Sequence, residues 1–109
     1  LTARNSDSDG QIAVEIARPG VAEPPRYAVF LHNDDYTTME FVVEVLTLDF
    51  SRPYEEAMAL MLKVHEEGKA VAGIYPFEIA ESKVAKVTGK ARASGFPLKL
   101  TLEPVGGKP

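Results

Sequence analysis

Thr37-x-x-Glu40, Ser51 with Pro53, and Pro76 each precede an apolar pattern of helical period, and Gly68 and Gly95 close two of those patterns. This punctuation constrains the fold more than any other property of the chain, because it leaves only short connections and so dictates the order of elements. In the Thr37-x-x-Glu40 capping pattern, the hydroxyl and carboxylate satisfy amide donors that a helix start leaves unpaired. A first helix is expected from there to near Asp49, with Met39, Val42, Val43 and Leu46 on one face. Ser51 is the expected N-cap of a second helix with Pro53 in its first turn. Its shared face is Ala57, Leu60, Met61, Val64 and His65, and it stops at Gly68. Pro76 opens a third helix, striped by Phe77, Ala80, Val84, Val87 and Ala91 and ended by Gly95.

Strands fill the gaps. The run from Arg26 to His32 is apolar and bounded by Pro25 and the Asn33-Asp34-Asp35 cluster, which marks a buried strand. Residues 69–75 read as a second strand, and Leu98, Leu100 and Leu102 alternate with Lys99, Thr101 and Glu103 as a third with one wet face. The order is β-α-α-β-α-β without internal repeat, and 109 residues support one core. Residues 25–105 are the expected domain. Residues 1–24 are too polar and too punctuated to bury much surface, so a disordered tail is expected despite the alternation of Ile12, Val14 and Ile16.

Charge and composition exclude several roles. A net charge of -4 with scattered basic residues gives no footprint for nucleic acid. The apolar runs are too short to span a membrane. The absence of cysteine removes disulfides, thiolate nucleophiles and Cys-type zinc sites, and fits a reducing compartment. The first residues lack the basic-then-apolar pattern of a secretory signal, so a cytoplasmic location is expected.

Asn33, Asp34 and Asp35 set acceptor groups beside the start of the first helix, and Met61, Val64 and His65 set two apolar residues and an imidazole on one face of the second. Together they describe a small apolar pocket with a polar rim. Such a rim suits an ammonium group carried by an apolar side chain, as in the first residue of a peptide. Taken alone, the same residues also fit a capped turn, a core stripe and a histidine stabilising a helix terminus. Two other classes compete. A metal-dependent hydrolase would use His32, His65, Asp34 and Asp35, but no fixed ligand spacing of the H-E-x-x-H kind occurs. An interaction domain without a ligand pocket keeps the fold and drops the peptide. Asp34 and Asp35 do not make a catalytic dyad, since adjacent residues in an extended segment point apart. No catalytic residue, metal or cofactor is expected.

The element order, the run Asn33-Asp34-Asp35-Tyr36-Thr37-x-Met39-Glu40-Phe41, and Met61-Leu62-x-Val64-His65 with Gly68-Lys69 resemble the ClpS family. So do Glu78-Ile79-Ala80-Glu81-x-Lys83-Val84 and Pro97-Leu98, and the resemblance covers about residues 25 to 103. The expected fold is then a single α+β domain, a three-stranded antiparallel sheet packed against three helices. The resemblance implies a non-catalytic adaptor that binds N-degron substrates by their first residue (Leu, Phe, Tyr or Trp). It delivers them to the N-domain of a Clp-type AAA+ unfoldase, ClpA or ClpC, for proteolysis. It further implies that Asn33, Asp35 and His65 hold the α-amino group with Asp34 assisting. The side-chain pocket would be formed by Leu31, Thr37, Met39, Val42, Met61, Val64 and Leu98, and Glu78 and Lys83 would dock on the unfoldase. Two positions depart from the family pattern. Thr38 stands where proline is common, and His32 stands where the pocket wall is often apolar or Asn, which would narrow the residue preference.

Overall fold

In a computed structural model, residues 24–106 are described, and the expected tail over 1–24 lies outside them except for its last residue. Six elements follow in the expected order: β1 Arg26–His32, α1 Met39–Leu48, α2 Tyr54–Glu67, β2 Lys69–Pro76, α3 Phe77–Ala93 and β3 Lys99–Val105. The strands form one antiparallel sheet ordered β2-β1-β3, and the helices cover one face of it. Among the described residues no helix is long and apolar enough to cross a membrane.

Central β1 is the most apolar strand because both its edges are paired. Val29 and Leu31 turn toward the helices and are buried, while Phe30 and His32 turn to the other face, as the period of two requires. Leu31 is paired with Ala70 on one side and Leu100 on the other. The register of β2 slips between Val29 and Phe30, which leaves Ala72 without a β1 partner; its carbonyl accepts from Arg52 Nε at 2.9 Å. Gly73 sits beside this bulge, where the Tyr75 ring lies over its backbone in the space a Cβ would need.

Two helix starts differ from the sequence expectation. The N-cap of α1 is Thr38, whose hydroxyl accepts from Phe41 N–H at 3.1 Å. Thr37 stands one residue ahead of the cap, and its hydroxyl donates to the Asp34 carboxylate at 2.7 Å, a charge-assisted bond within the loop. The α2 N-cap is Pro53, without a side-chain cap bond, and not Ser51. Ser51 instead takes a left-handed conformation, φ 56°, in the turn where Arg52 N–H reaches back to the Leu46 carbonyl at 3.0 Å. The stops agree with expectation: Gly68, φ 97°, donates to the Val64 carbonyl, and Gly95, φ 82°, follows α3. The α1 face is rotated relative to the expected stripe. Phe41, Val42, Val45 and Leu46 are buried, while Met39 stays 44% exposed, because apolar residues occupy more than half of this helix and the sheet takes only one arc.

Asp49 is the buried polar side chain of the described core, and α3 answers it with lysines. Lys90 Nζ lies 2.7 Å from its carboxylate and Lys86 Nζ 3.6 Å, while Lys83 Nζ donates to the Asp49 carbonyl at 2.8 Å. These contacts clamp the end of α1 to α3. Removing one partner of a buried pair strands a charge, so Lys90→Met is expected to cost about 2 to 4 kcal/mol in urea unfolding. Lys86→Ala, at a largely exposed position, should cost less than about 1 kcal/mol.

Candidate functional site

The site forms where β1 runs out. Asn33 N–H donates to the Gly68 carbonyl at 2.8 Å, which extends the β1–β2 ladder one step beyond the His32–Lys69 pair. Gly68 in turn donates to the Val64 carbonyl, so the last turn of α2, with Val64 and His65, is drawn beside Asn33.

Residues 33–38 then make a tight loop organised by Asp34. One carboxylate oxygen accepts from the Tyr36 and Thr37 N–H groups, each at 2.7 Å, and the other accepts from the Thr37 hydroxyl at 2.7 Å. Burial pushes this carboxyl up, but the Thr37 bonds, the Tyr36 N–H and the charge of Arg92 outweigh it and hold it below the ordinary carboxylate range. Arg92 is itself fixed by donating to the Phe96 and Leu98 carbonyls, both at 2.9 Å. By contrast, no described residue donates a hydrogen bond to the Asp35 carboxylate, the Asn33 side-chain amide or the His65 ring. Among the described residues their capacity is unused.

Between this loop and α2 lies a cavity of about 250 Å³. Asn33, Asp34, Asp35, Thr37 and His65 form its polar wall, and Met39, Val42, Met61 and Val64 its apolar wall. Val42, Met61 and Val64 are nearly fully buried, whereas Met39 is half exposed and stands at the mouth. The structure thus brings together most of the residues expected to bind an α-amino group and a side chain.

Three expected pocket residues are not part of the lining. Leu31 and Leu98 are each 1% exposed and belong to the core under the cavity. His32 faces away from the helices, because it follows inward-pointing Leu31, and its Nε2 lies 2.7 Å from the Thr101 hydroxyl. Burial lowers its pKa, Lys99 and Lys69 add to that, and Glu103 opposes it. His32 thus lies on the sheet face opposite the cavity, as strand parity requires. Of the four residues of the hydrolase reading, Asp34, Asp35 and His65 share the cavity wall while His32 lies on the other sheet face, and no group of three or more His, Cys, Asp or Glu among the described residues is placed to hold a metal.

Glu78 and Lys83 lie on α3 and border a shallow surface depression with Ile79, Ser82 and Lys86. Glu78 is exposed, but Lys83 is bonded to the end of α1 and its ammonium sits 5.3 Å from the Tyr75 ring centroid. A feature absent from the sequence expectation is a second, wider cavity of about 630 Å³ between α1 and α2. It shares Met39 and Met61 with the first and continues past Val43, Leu48, Tyr54 and Met58. The signal was present as Met39, Val43, Thr47 and Tyr54, Met58, Met61, spaced to line the facing sides of two helices.

Comparison with known proteins agrees with this geometry. The model of the family described as ATP-dependent Clp protease adaptor protein ClpS matches residues 22–101. The chain is 52% identical over 103 residues to the ATP-dependent Clp protease adapter protein ClpS of Wolinella succinogenes, covering 94% of this chain and 98% of that one. It is 55% identical over 83 residues to the corresponding protein of Oleidesulfovibrio alaskensis, with 76% and 80% covered. Among solved structures, Agrobacterium tumefaciens ClpS2 bound to L-phenylalaninamide superimposes with a TM-score of 0.72 at 39% identity, covering 75% of this chain and 99% of that one.

Removing the loop organiser tests its assignment. Asp34→Ala is expected to destabilise the fold by about 1 to 2 kcal/mol in denaturant unfolding, the scale of lost charge-assisted bonds. Because the folded carboxyl is held below its unfolded value, this contribution is complete above about pH 4 and fades as pH falls through the folded value. The gap between the two proteins should close with it.

Proposed function

This chain belongs to the ClpS family of Clp protease adaptors, and from that premise we propose that the cavity beside Asn33 and His65 holds the first residue of a substrate bound for proteolysis. The observation that carries this reading is one small cavity whose polar wall has unused acceptors and whose other wall is apolar. A free α-ammonium offers three donors. Asn33, Asp35 and His65 supply three acceptors, and Asp34 holds the loop that presents them. Bonds of this charge-assisted kind contribute roughly 1.5 to 3 kcal/mol each. Burying a Leu or Phe side chain between Val42, Met61 and Val64 adds about 1.5 to 3 kcal/mol. Association entropy offsets several kcal/mol, which leaves roughly micromolar affinity, suited to a carrier that must release its load.

Met39 and Met61 are unbranched and polarizable, so the walls adapt to Leu, Phe, Tyr or Trp. Met39 at the mouth crowds a β-branched residue, whose second substituent sits next to the backbone. The similar Agrobacterium protein in complex with L-phenylalaninamide supports an aromatic occupant. Nothing in this account requires a reaction: the protein is a non-catalytic adaptor that passes its cargo to the N-domain of an unfoldase of the ClpA or ClpC kind.

Docking falls on the start of α3. Glu78 projects into solvent beside Phe77 and Ile79, which are 44% and 48% exposed. Lys83 supports that surface from beneath through Asp49.

Titration of a fluorescent Phe-initiated peptide and its N-acetylated form separates this function from an interaction domain lacking a pocket. We expect roughly micromolar binding of the free form and at least about a hundredfold loss on acetylation, the equivalent of two charge-assisted bonds. His65→Ala should weaken Leu-, Phe-, Tyr- and Trp-initiated peptides alike; an effect confined to Phe would make His65 a wall and not an acceptor. Glu78→Lys should leave peptide affinity unchanged and abolish binding to the unfoldase N-domain. Lys83→Met should also lower stability, by about 1 kcal/mol, since it frees the Asp49 carbonyl.

A further inference from the structure

The groove between α1 and α2 adjoins the first-residue cavity, since Met39 and Met61 line both. It is the larger of the two, about 630 Å³ against about 250 Å³. Leu48 and Tyr54 at its far end are 67% and 64% exposed. Along α1 it runs from Met39 to Leu48, about 14 Å of helix, the span of about four extended residues. Glu40 and Glu44 stand on its rim, both exposed and both without an ion-pair partner among the described residues.

We propose that this groove is a second subsite, taking an apolar side chain from the second residue of the bound peptide with a Lys or Arg at the third facing Glu40 and Glu44. The inference rests on the first-residue reading and adds a preference that reading does not contain. Continuity places the peptide here: a chain anchored by its first side chain past Met39 meets the groove as the next apolar surface. Charge selects against the other obvious occupant. A symmetric pairing of two copies through this face would enclose the Glu40 and Glu44 carboxylates of both in one interface whose lining offers no Lys or Arg, whereas a basic peptide residue pairs with them.

Binding of three probes to the full chain, measured by calorimetry, tests this: phenylalaninamide, Phe-Gly-Gly-Gly and Phe-Leu-Lys-Gly. Phe-Leu-Lys-Gly is expected to bind about tenfold more tightly than Phe-Gly-Gly-Gly, from partial burial of Leu. Leu48→Ser and Tyr54→Ala, both at exposed positions, should erase that advantage while phenylalaninamide binds within about twofold of the unaltered chain. Glu44→Lys should turn the preference toward Phe-Leu-Glu-Gly. Equal affinities for the two peptides, with phenylalaninamide bound normally, overturn the subsite alone. So does a Leu48→Ser variant that loses phenylalaninamide and peptide to the same degree. Failure of the unaltered chain to bind phenylalaninamide removes the first-residue reading and the subsite with it.

Discussion

One backbone hydrogen bond, from Asn33 N–H to the Gly68 carbonyl, sets the geometry on which the rest of the site depends. Its net energy is ordinary, about 1 kcal/mol. Its consequence is positional, because it joins the residue that leaves β1 to the residue that ends α2. Gly68 can serve at this junction because its φ of 97° is open to glycine and strained for other residues. With Gly68 also closing the last turn of α2 through Val64, Asn33 on the loop and His65 on the helix are held by the same few atoms. The polar wall is therefore preformed, and little ordering is needed when a ligand arrives.

Division of labour between adjacent acids follows from the same loop. Asp34 turns inward and spends both oxygens on Tyr36 and Thr37, so its charge holds the backbone in shape. Asp35 receives no such donors among the described residues and keeps its full capacity for a cation. A similar economy operates at the far end of α1. There Asp49 and its carbonyl gather Lys83, Lys86 and Lys90 from α3, tying the wall of the cavity to the helix proposed to meet the unfoldase. Lys83, which by family resemblance alone would be a docking residue, is first of all part of that tie.

How much of this was legible in the sequence varied with the range of the interactions involved. Order, strand limits and helix stops were legible because they rest on local chemistry: a glycine with positive φ at Gly68 and Gly95, and alternation through Leu98, Leu100 and Leu102. The α1 start was misplaced by one residue because two adjacent threonines both offered a cap, and only the position of Asp34 decides between them. Ser51 looked like a cap for want of any sign that the turn would place it at positive φ. Most of the cavity residues were recoverable from motif and period. Leu31, His32 and Leu98 were not, because distinguishing core from cavity wall, or one sheet face from the other, requires knowing which face the helices cover. The α1–α2 groove was missed for a related reason: Val43 and Met58 read as core until the arc taken by the sheet is known.

The bulge at Ala72 has a bearing on solubility. Both β2 and β3 are edge strands, open in principle to pairing with any extended chain, and extended chains are what a carrier of proteolytic substrates meets most often. In β2 the Ala72 carbonyl is already taken by Arg52 and the strand ends at Pro76, while β3 carries Pro104, which has no N–H to offer. Both borders of the described sheet thus carry features that interrupt main-chain pairing. A chain engaged by its first residues can then leave without having been woven into the sheet.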